Sequence, residues 1–202
     1  MRKTLTSLAA VMLTAAVVLS CGNRKNAKKQ AAEAPAAEVS TEACLAAIDR
    51  YLDEQIAPQY SLAEFTIPYC DYIDEDWSNL EDILVWGNFW VLNYAQAGDT
   101  LKTVSGGNHP GKVHLKPTED GRYEVTAFEQ VGDGSEFLPT AKRIFGDRFE
   151  AFQAAYSNDE AREEVRREAI AAYVEAHGLP FKVYQDFGWP AVKIGKPSEA
   201  GK

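Results

Sequence analysis

The run "DILVWGNFWVLNYAQ", residues 82–96, decides how the rest of the chain is read. Taken with a period of two, one side carries Ile83, Val85, Phe89 and Val91, and the other carries Leu84, Trp86, Trp90, Leu92 and Tyr94. Its β-branched and aromatic content, with Gly87, Asn88 and Asn93 spaced through it, favours a strand over a helix. A strand that is apolar on both sides needs cover on both faces, so it belongs in the middle layer of a domain.

The flanks extend this into a meander. Gly98-Asp99 is a two-residue turn with glycine first, suited to a type II′ hairpin, so "TLKTVS" from Thr100 returns antiparallel. On the other side "AEFTIPYCDYI" is extended and aromatic, and Pro68 confines it to an edge or an interrupted strand. Before that, "TEACLAAIDRYLDEQIAP" places Leu45, Ile48, Leu52 and Ile56 at helical spacing and ends at Pro58.

"SGGNHPGKVHL", residues 105–115, poses the main ambiguity, because Gly106 to Lys112 reads G-x-x-x-x-G-K. In a phosphate-binding loop, Ser or Thr follows the lysine and a helix begins there, its amides holding the phosphates. Here Val113 takes that place, and "KVHLKPTEDGRYEVTAFEQ" continues with period two. Glu119-Asp120-Gly121 is a three-residue connection with glycine at its left-handed site. That register sets Leu115 opposite Val125, Val113 opposite Ala127 and Lys116 opposite Glu124. A strand therefore follows the glycines, the phosphate reading fails, and the stretch is expected to be a strand break, bulge or corner.

After "VGDGSEF" the pattern turns helical. Pro139 suits a first turn, and Ile144, Phe145, Phe149, Phe152 and Tyr156 form an apolar stripe with a break at Gly146. Ser157 and Glu160 have the spacing of a capping box. The helix it would open carries Val165, Ala169, Ile170, Tyr173 and Val174 inward and "REEVRREA" as a solvated charged face, with Gly178 and Pro180 as stops. "FKVYQDFGWPAVKI" is an extended aromatic strap. Its Asp186-Phe187-Gly188 copies a kinase tripeptide without the other kinase segments, so it carries no kinase reading.

The expected class is α+β: an N-terminal helix, a four-stranded antiparallel meander, C-terminal helices and a final strap. By element order, residues 41–130 resemble the cystatin-like roll, an architecture shared with nuclear-transport-factor-like domains. That resemblance implies a helix packed into a curved sheet and, often, a pocket on the concave face; the helical C-terminus departs from it.

At the chain start, Arg2 and Lys3 precede an uncharged apolar run from Leu5 to Leu19, and Val18-Leu19-Ser20-Cys21 follows the layout of a bacterial lipobox. Residues 1–20 are expected to be a signal peptide, with Cys21 accepting lipid, 21–40 a flexible tether, 41–195 one α+β domain and 196–202 a disordered tail. The whole resembles the small lipoproteins of Bacteroidetes-type bacteria. Arg24, Lys25, Lys28 and Lys29 make the tether basic near the lipid, which tilts the expected location to the periplasm-facing side of the outer membrane.

Net charge is −9, and the leader holds cations only, so the remainder is more acidic still. Such a surface lacks the basic footprint of nucleic-acid binding. Cys44 and Cys70 form a possible disulfide in an oxidising compartment, with two buried thiols as the alternative. No histidine has ligand spacing with a cysteine, so no metal or cofactor is expected.

Two functions fit. The first is a noncatalytic binding or accessory module, held to the membrane through lipid on Cys21, for an envelope protein, an envelope polymer or a small apolar ligand. Trp77, Trp86, Trp90, Tyr94 and Trp189 are its candidate contacts, with Trp86 and Trp90 also suited to the core. The second is a pocket enzyme of isomerase or dehydratase type, for which Asp71 and His114 are the candidate ionisable groups, although His114 faces outward between two lysines in the register above.

Overall fold

The structure, a computed structural model, describes residues 40–61 and 63–195; the expected signal peptide, Cys21, nearly all of the tether and the tail 196–202 lie outside them. The class is α+β, as the sequence patterns imply. Helix α1 (Thr41–Tyr51) starts at Ser40, whose hydroxyl accepts from the Ala43 amide, and runs on through a π-turn at Leu52–Ile56 and a 3-10 turn at Ala57–Gln59. Four antiparallel strands follow, β1 (Phe65–Asp76), β2 (Ile83–Ala97), β3 (Thr100–Pro117) and β4 (Tyr123–Gln130). Then come α2 (Phe137–Phe145), α3 (Phe149–Ser157) and α4 (Asp159–Ala176). The strap supplies β5 (Val183–Gln185), which pairs parallel to the start of β3, and β6 (Val192–Lys193), so it joins the sheet.

Strand β2 lies between β1 and β3 and is covered on both sides. On one face Ile83, Val85, Phe89 and Val91 pack with Val113, Leu115 and the apolar stripe of α1, including Ile48, Leu52 and Ile56. The other face divides in two: Trp86 packs against Ile144, Phe145 and Phe152 of α2 and α3. Leu92 and Tyr94 pack with Ile170 and Val174 of α4 and with Tyr184 of β5. Full burial of one such side chain contributes about 1.5–3 kcal/mol, so these faces hold the layers together.

The glycine-rich stretch is continuous strand, in place of the expected break, bulge or corner. Its residues pair across β2 from Ser105 to Leu115, and one bulge, at Val104, sits just ahead of it. The glycines are there because neighbours come close: a Cβ on Gly107 would run into the Tyr60 hydroxyl, and one on Gly111 into the Glu129 carbonyl. No phosphate cradle forms.

Three local expectations are corrected. Leu115 faces Val125 and Lys116 faces Glu124 as expected, with a 3.0 Å ion pair in the second case. Val113, however, faces Phe128, because Thr126 is an extra residue in β4 and places both Val125 and Phe128 against the α1-side core. The cap of α4 is Asn158, whose side chain accepts from the Ala161 amide, while the Ser157 hydroxyl turns back to donate to Gln153 O. The charged face of α4 is only partly solvated: Arg166 turns inward to Asp186 at 2.5 Å, with both side chains largely buried.

Cys44 and Cys70 are free thiols that pack against the same core, so the possible disulfide is absent from the structure. Burial, then the nearby Glu75 charge, pushes the Cys44 thiol up to about 12. Burial raises Cys70 well above the usual range, with Asp49 and Asp71 adding to it. Both behave as small apolar side chains.

Candidate functional site

A cleft of about 730 Å³ opens along the outer edge of β1. Four consecutive residues, Thr66, Ile67, Pro68 and Tyr69, line it. Side chains alternate between the faces of a strand, so a cleft touching all four follows the strand edge and is not confined to one face. Helix α1 forms one wall with Asp49, Arg50 and, in the π-turn after it, Asp53. Helix α4 forms the other with Ala169, Ala172 and Tyr173, and Glu64 sits at the start of the strand. The small alanines keep the α4 wall thin and leave the room.

The edge does not invite an added strand throughout, since Pro68 has no N–H to donate. Recognition in the cleft therefore falls to side chains. Tyr69 is buried with its ring stacked on Trp90, centroids 5.9 Å apart and planes 2° from parallel. Tyr173 stacks on His177 at 4.1 Å, and His177 Nδ1 bonds the Tyr173 carbonyl at 2.8 Å. Burial, then the Asp53 charge, raises the Tyr173 phenol, so it stays a neutral donor.

Charge in the cleft is negative. Asp49, Asp53 and Glu64 face it, while Arg50 donates to the Tyr123 carbonyl at 2.9 Å and is thereby engaged by β4. Burial pushes the Asp49 carboxyl up to about 7, and its Oδ1 is enclosed without a protein partner. An enclosed carboxylate oxygen without a donor is costly unless a proton or a ligand donor meets it. Near neutral pH Asp49 exists in both forms and can give or take a hydrogen bond.

The aromatic candidates do not line one groove. Trp86 is core, with its N–H donating to Ile144 O. Tyr94 is fully buried beside Arg166. Trp77 packs edge-on to Tyr123 at 6.2 Å, on the α1 side of the sheet. Trp189 is 73 % exposed on the turn between β5 and β6. Only Trp90 approaches the cleft, from behind Tyr69.

Of the ionisable candidates, Asp71 lies on the sheet face covered by α2, α3 and α4, opposite Asn88. Its Oδ2 accepts from Asn88 Nδ2 at 3.1 Å, and Asn108 Nδ2 donates to Asn88 Oδ1 at 3.2 Å. Burial raises the Asp71 carboxyl, and the Asn88 bond and Arg162 hold it back. Beside this chain, Trp90 Nε1 and Asn108 Oδ1 are enclosed without protein partners. His114 does not stand free between lysines: Nδ1 meets Asp82 Oδ1 at 2.8 Å and Nε2 meets Glu129 Oε1 at 3.1 Å. Glu129 also takes Lys112 and Arg143, and with Lys112 as the leading cause its carboxyl falls to about 2. This is a cross-strand ion network with every partner engaged.

Asp49 was missing from the sequence candidates. Its one signal is a carboxylate four residues after Leu45 and three before Leu52, at the margin of the apolar stripe. Among the described residues, no group of three or more His, Cys, Asp or Glu is arranged to hold a metal, and no described helix is long and apolar enough to cross a membrane. Comparison with protein-family models, curated proteins and solved structures returns no match. Fold and cleft together define an α+β protein with an anionic, aromatic-lined recess at a sheet edge.

Proposed function

We propose that the protein is a noncatalytic binding module of the bacterial envelope, held to the membrane by lipid on Cys21, and that it takes its ligand in the cleft between α1, the edge of β1 and α4. The observation that carries this is Asp49: a half-buried carboxyl, its Oδ1 enclosed and its pKa at about 7, in a recess that also presents Tyr69 and Tyr173. Aromatic rings supply apolar contact and the carboxylates supply charge, so the favoured ligand combines an apolar surface with a positive group, as in an amine or a basic side chain of an envelope protein. The lipobox layout at Val18–Cys21 supports the anchor.

A second reading rests on the same residue. A carboxyl with its pKa near the working pH suits general acid–base catalysis, so Asp49 replaces Asp71 and His114 as the group on which an isomerase-type enzyme would turn. Native mass spectrometry of the protein, extracted gently from its own envelope, separates the two. A discrete adduct released chemically unchanged, lost in Tyr173→Ala and weakened in Asp49→Asn, supports binding. An adduct that wild type, and not Asp49→Asn, releases as an isomer of altered chromatographic retention or lighter by one water supports catalysis. Bare protein in every case counts against both.

A further inference from the structure

The turn between β5 and β6 holds the two most exposed large apolar side chains of the described residues, Phe187 at 70 % and Trp189 at 73 %. Single exposed hydrophobics are ordinary; two such rings two residues apart on a braced turn are not. The Trp189 amide donates to Asp186 O at 2.8 Å, Gln185 Nε2 donates to Trp189 O at 2.9 Å, and Gly188 takes φ 73° to close the turn. Asp186 is itself clamped, by Arg166 at 2.5 Å and by the Thr103 hydroxyl. The backbone that carries the rings is thus braced, and the ordering cost left on contact is mainly that of the two side chains.

Local charge singles out the partner. From Lys182 to Gly195 the sole carboxylate is Asp186, which Arg166 and Thr103 hold, while Lys182 and Lys193 are exposed on the same hairpin. Lys193 pairs with Val183, so in a chain of net charge −9 this hairpin carries exposed rings at its tip and exposed cations at its base. Lysines set back from an exposed tryptophan match a bilayer with anionic headgroups: indole sits at the headgroup level with its N–H wet, and the ammonium groups on their long stems face the lipid phosphates. The acidic remainder would be repelled by that surface, so the tip is the part able to approach it.

We propose that the Phe187–Trp189 turn is a membrane-surface contact that seats its two rings in the interfacial layer of a lipid bilayer. The contact is independent of the cleft and of lipid on Cys21, since it rests on the hairpin alone.

The test uses the full chain with vesicles of phosphatidylethanolamine and phosphatidylglycerol whose acyl chains carry bromine at a shallow depth. A fraction of tryptophan emission is quenched in the wild type and that fraction disappears in Trp189→Phe. Each of Lys182→Gln and Lys193→Gln weakens the vesicle affinity read from this quenching about fivefold. All these side chains are exposed, so a circular-dichroism melt matching wild type confirms an intact fold. Absence of quenching in the wild type, or quenching that survives Trp189→Phe, overturns the proposal. So does a tip that leaves lipid unaffected and instead, on Trp189→Ser, releases a bound protein.

Discussion

The Trp86 indole N–H donates to the backbone carbonyl of Ile144 at 2.9 Å, joining the centre of the sheet to the last turn of α2. That carbonyl is one of the helix-end acceptors without an intrahelical donor, so one bond satisfies both a buried indole and a helix terminus. Over the same ring lies the Arg148 guanidinium, 3.9 Å from the centroid, and Arg148 pairs with Asp74 at 2.5 Å. Trp86→Phe keeps most of the apolar contact, so it is expected to cost about 1–3 kcal/mol in urea unfolding. Trp86→Ala, which also opens a cavity, is expected to cost about 3–5 kcal/mol. A Trp86→Phe variant as stable as wild type would show that the indole bond contributes nothing.

Asp49 makes stability depend on pH in a stated direction. Its folded pKa, about 7, lies above the ordinary aspartate value of 3.8, so the native state holds the proton more tightly. The stability linked to it is fully present below about pH 4, declines as pH rises from there to about 7, and stays low above that. A shift of this size corresponds to roughly 4 kcal/mol at most. Asp49→Asn is expected to match wild type in melting temperature at pH 4 and to exceed it at pH 8. A variant that is less stable at pH 8 would mean that the carboxylate has a partner there.

Glycine in the β3 stretch is expected to be needed for two different reasons. At Gly111 the added methyl meets the backbone carbonyl of Glu129, which cannot move without breaking the β3–β4 ladder; at Gly107 it meets the end of the Tyr60 side chain. Gly111→Ala should therefore cost more than about 3 kcal/mol, as overpacking against rigid backbone does. Gly107→Ala should cost less, and Tyr60→Ala should recover part of the loss. The double variant, scored by chemical denaturation, decides: strict additivity of the two losses contradicts the contact.

Thiol reactivity follows from burial. With their pKa values raised, Cys44 and Cys70 hold almost no thiolate at pH 8. Ellman's reagent is expected to leave both untouched in the folded protein and to modify both after unfolding in guanidinium without reductant. A mass two daltons low, with no new thiols on unfolding, would instead show the bridge.

Much of the fold was legible because its signals are local. The two apolar faces of β2 need only a period of two, and both have the cover that pattern demanded, from α1 on one side and α2, α3 and α4 on the other. Where expectation failed, one residue of shift was enough. Thr126 adds a residue to β4 and moves Phe128 into the place expected for Ala127; Asn158 takes the cap expected of Ser157. The bulge breaks the period of two, since Val125 and Phe128 are three apart, but Ala127 is apolar and passes for the next inward residue; the change of cap alters neither composition nor period. The cleft was illegible for a different reason. It exists because α4, more than 100 residues downstream, comes beside the same strand edge as α1. Asp49 reads as one more carboxylate on an amphipathic helix until that wall is in place. Arg166 likewise reads as solvated charge until Asp186 arrives from the strap.

The central claim is that the cleft beside β1 is where the ligand binds, and hydrogen–deuterium exchange tests it most directly. The protein is measured alone and with the soluble extract of its own envelope, peptide by peptide. The account predicts added protection in residues 49–53, 64–69 and 169–177, lost in Tyr173→Ala, with the remaining strands unchanged. Protection confined to other segments, or protection at these segments that persists in Tyr173→Ala, would contradict it.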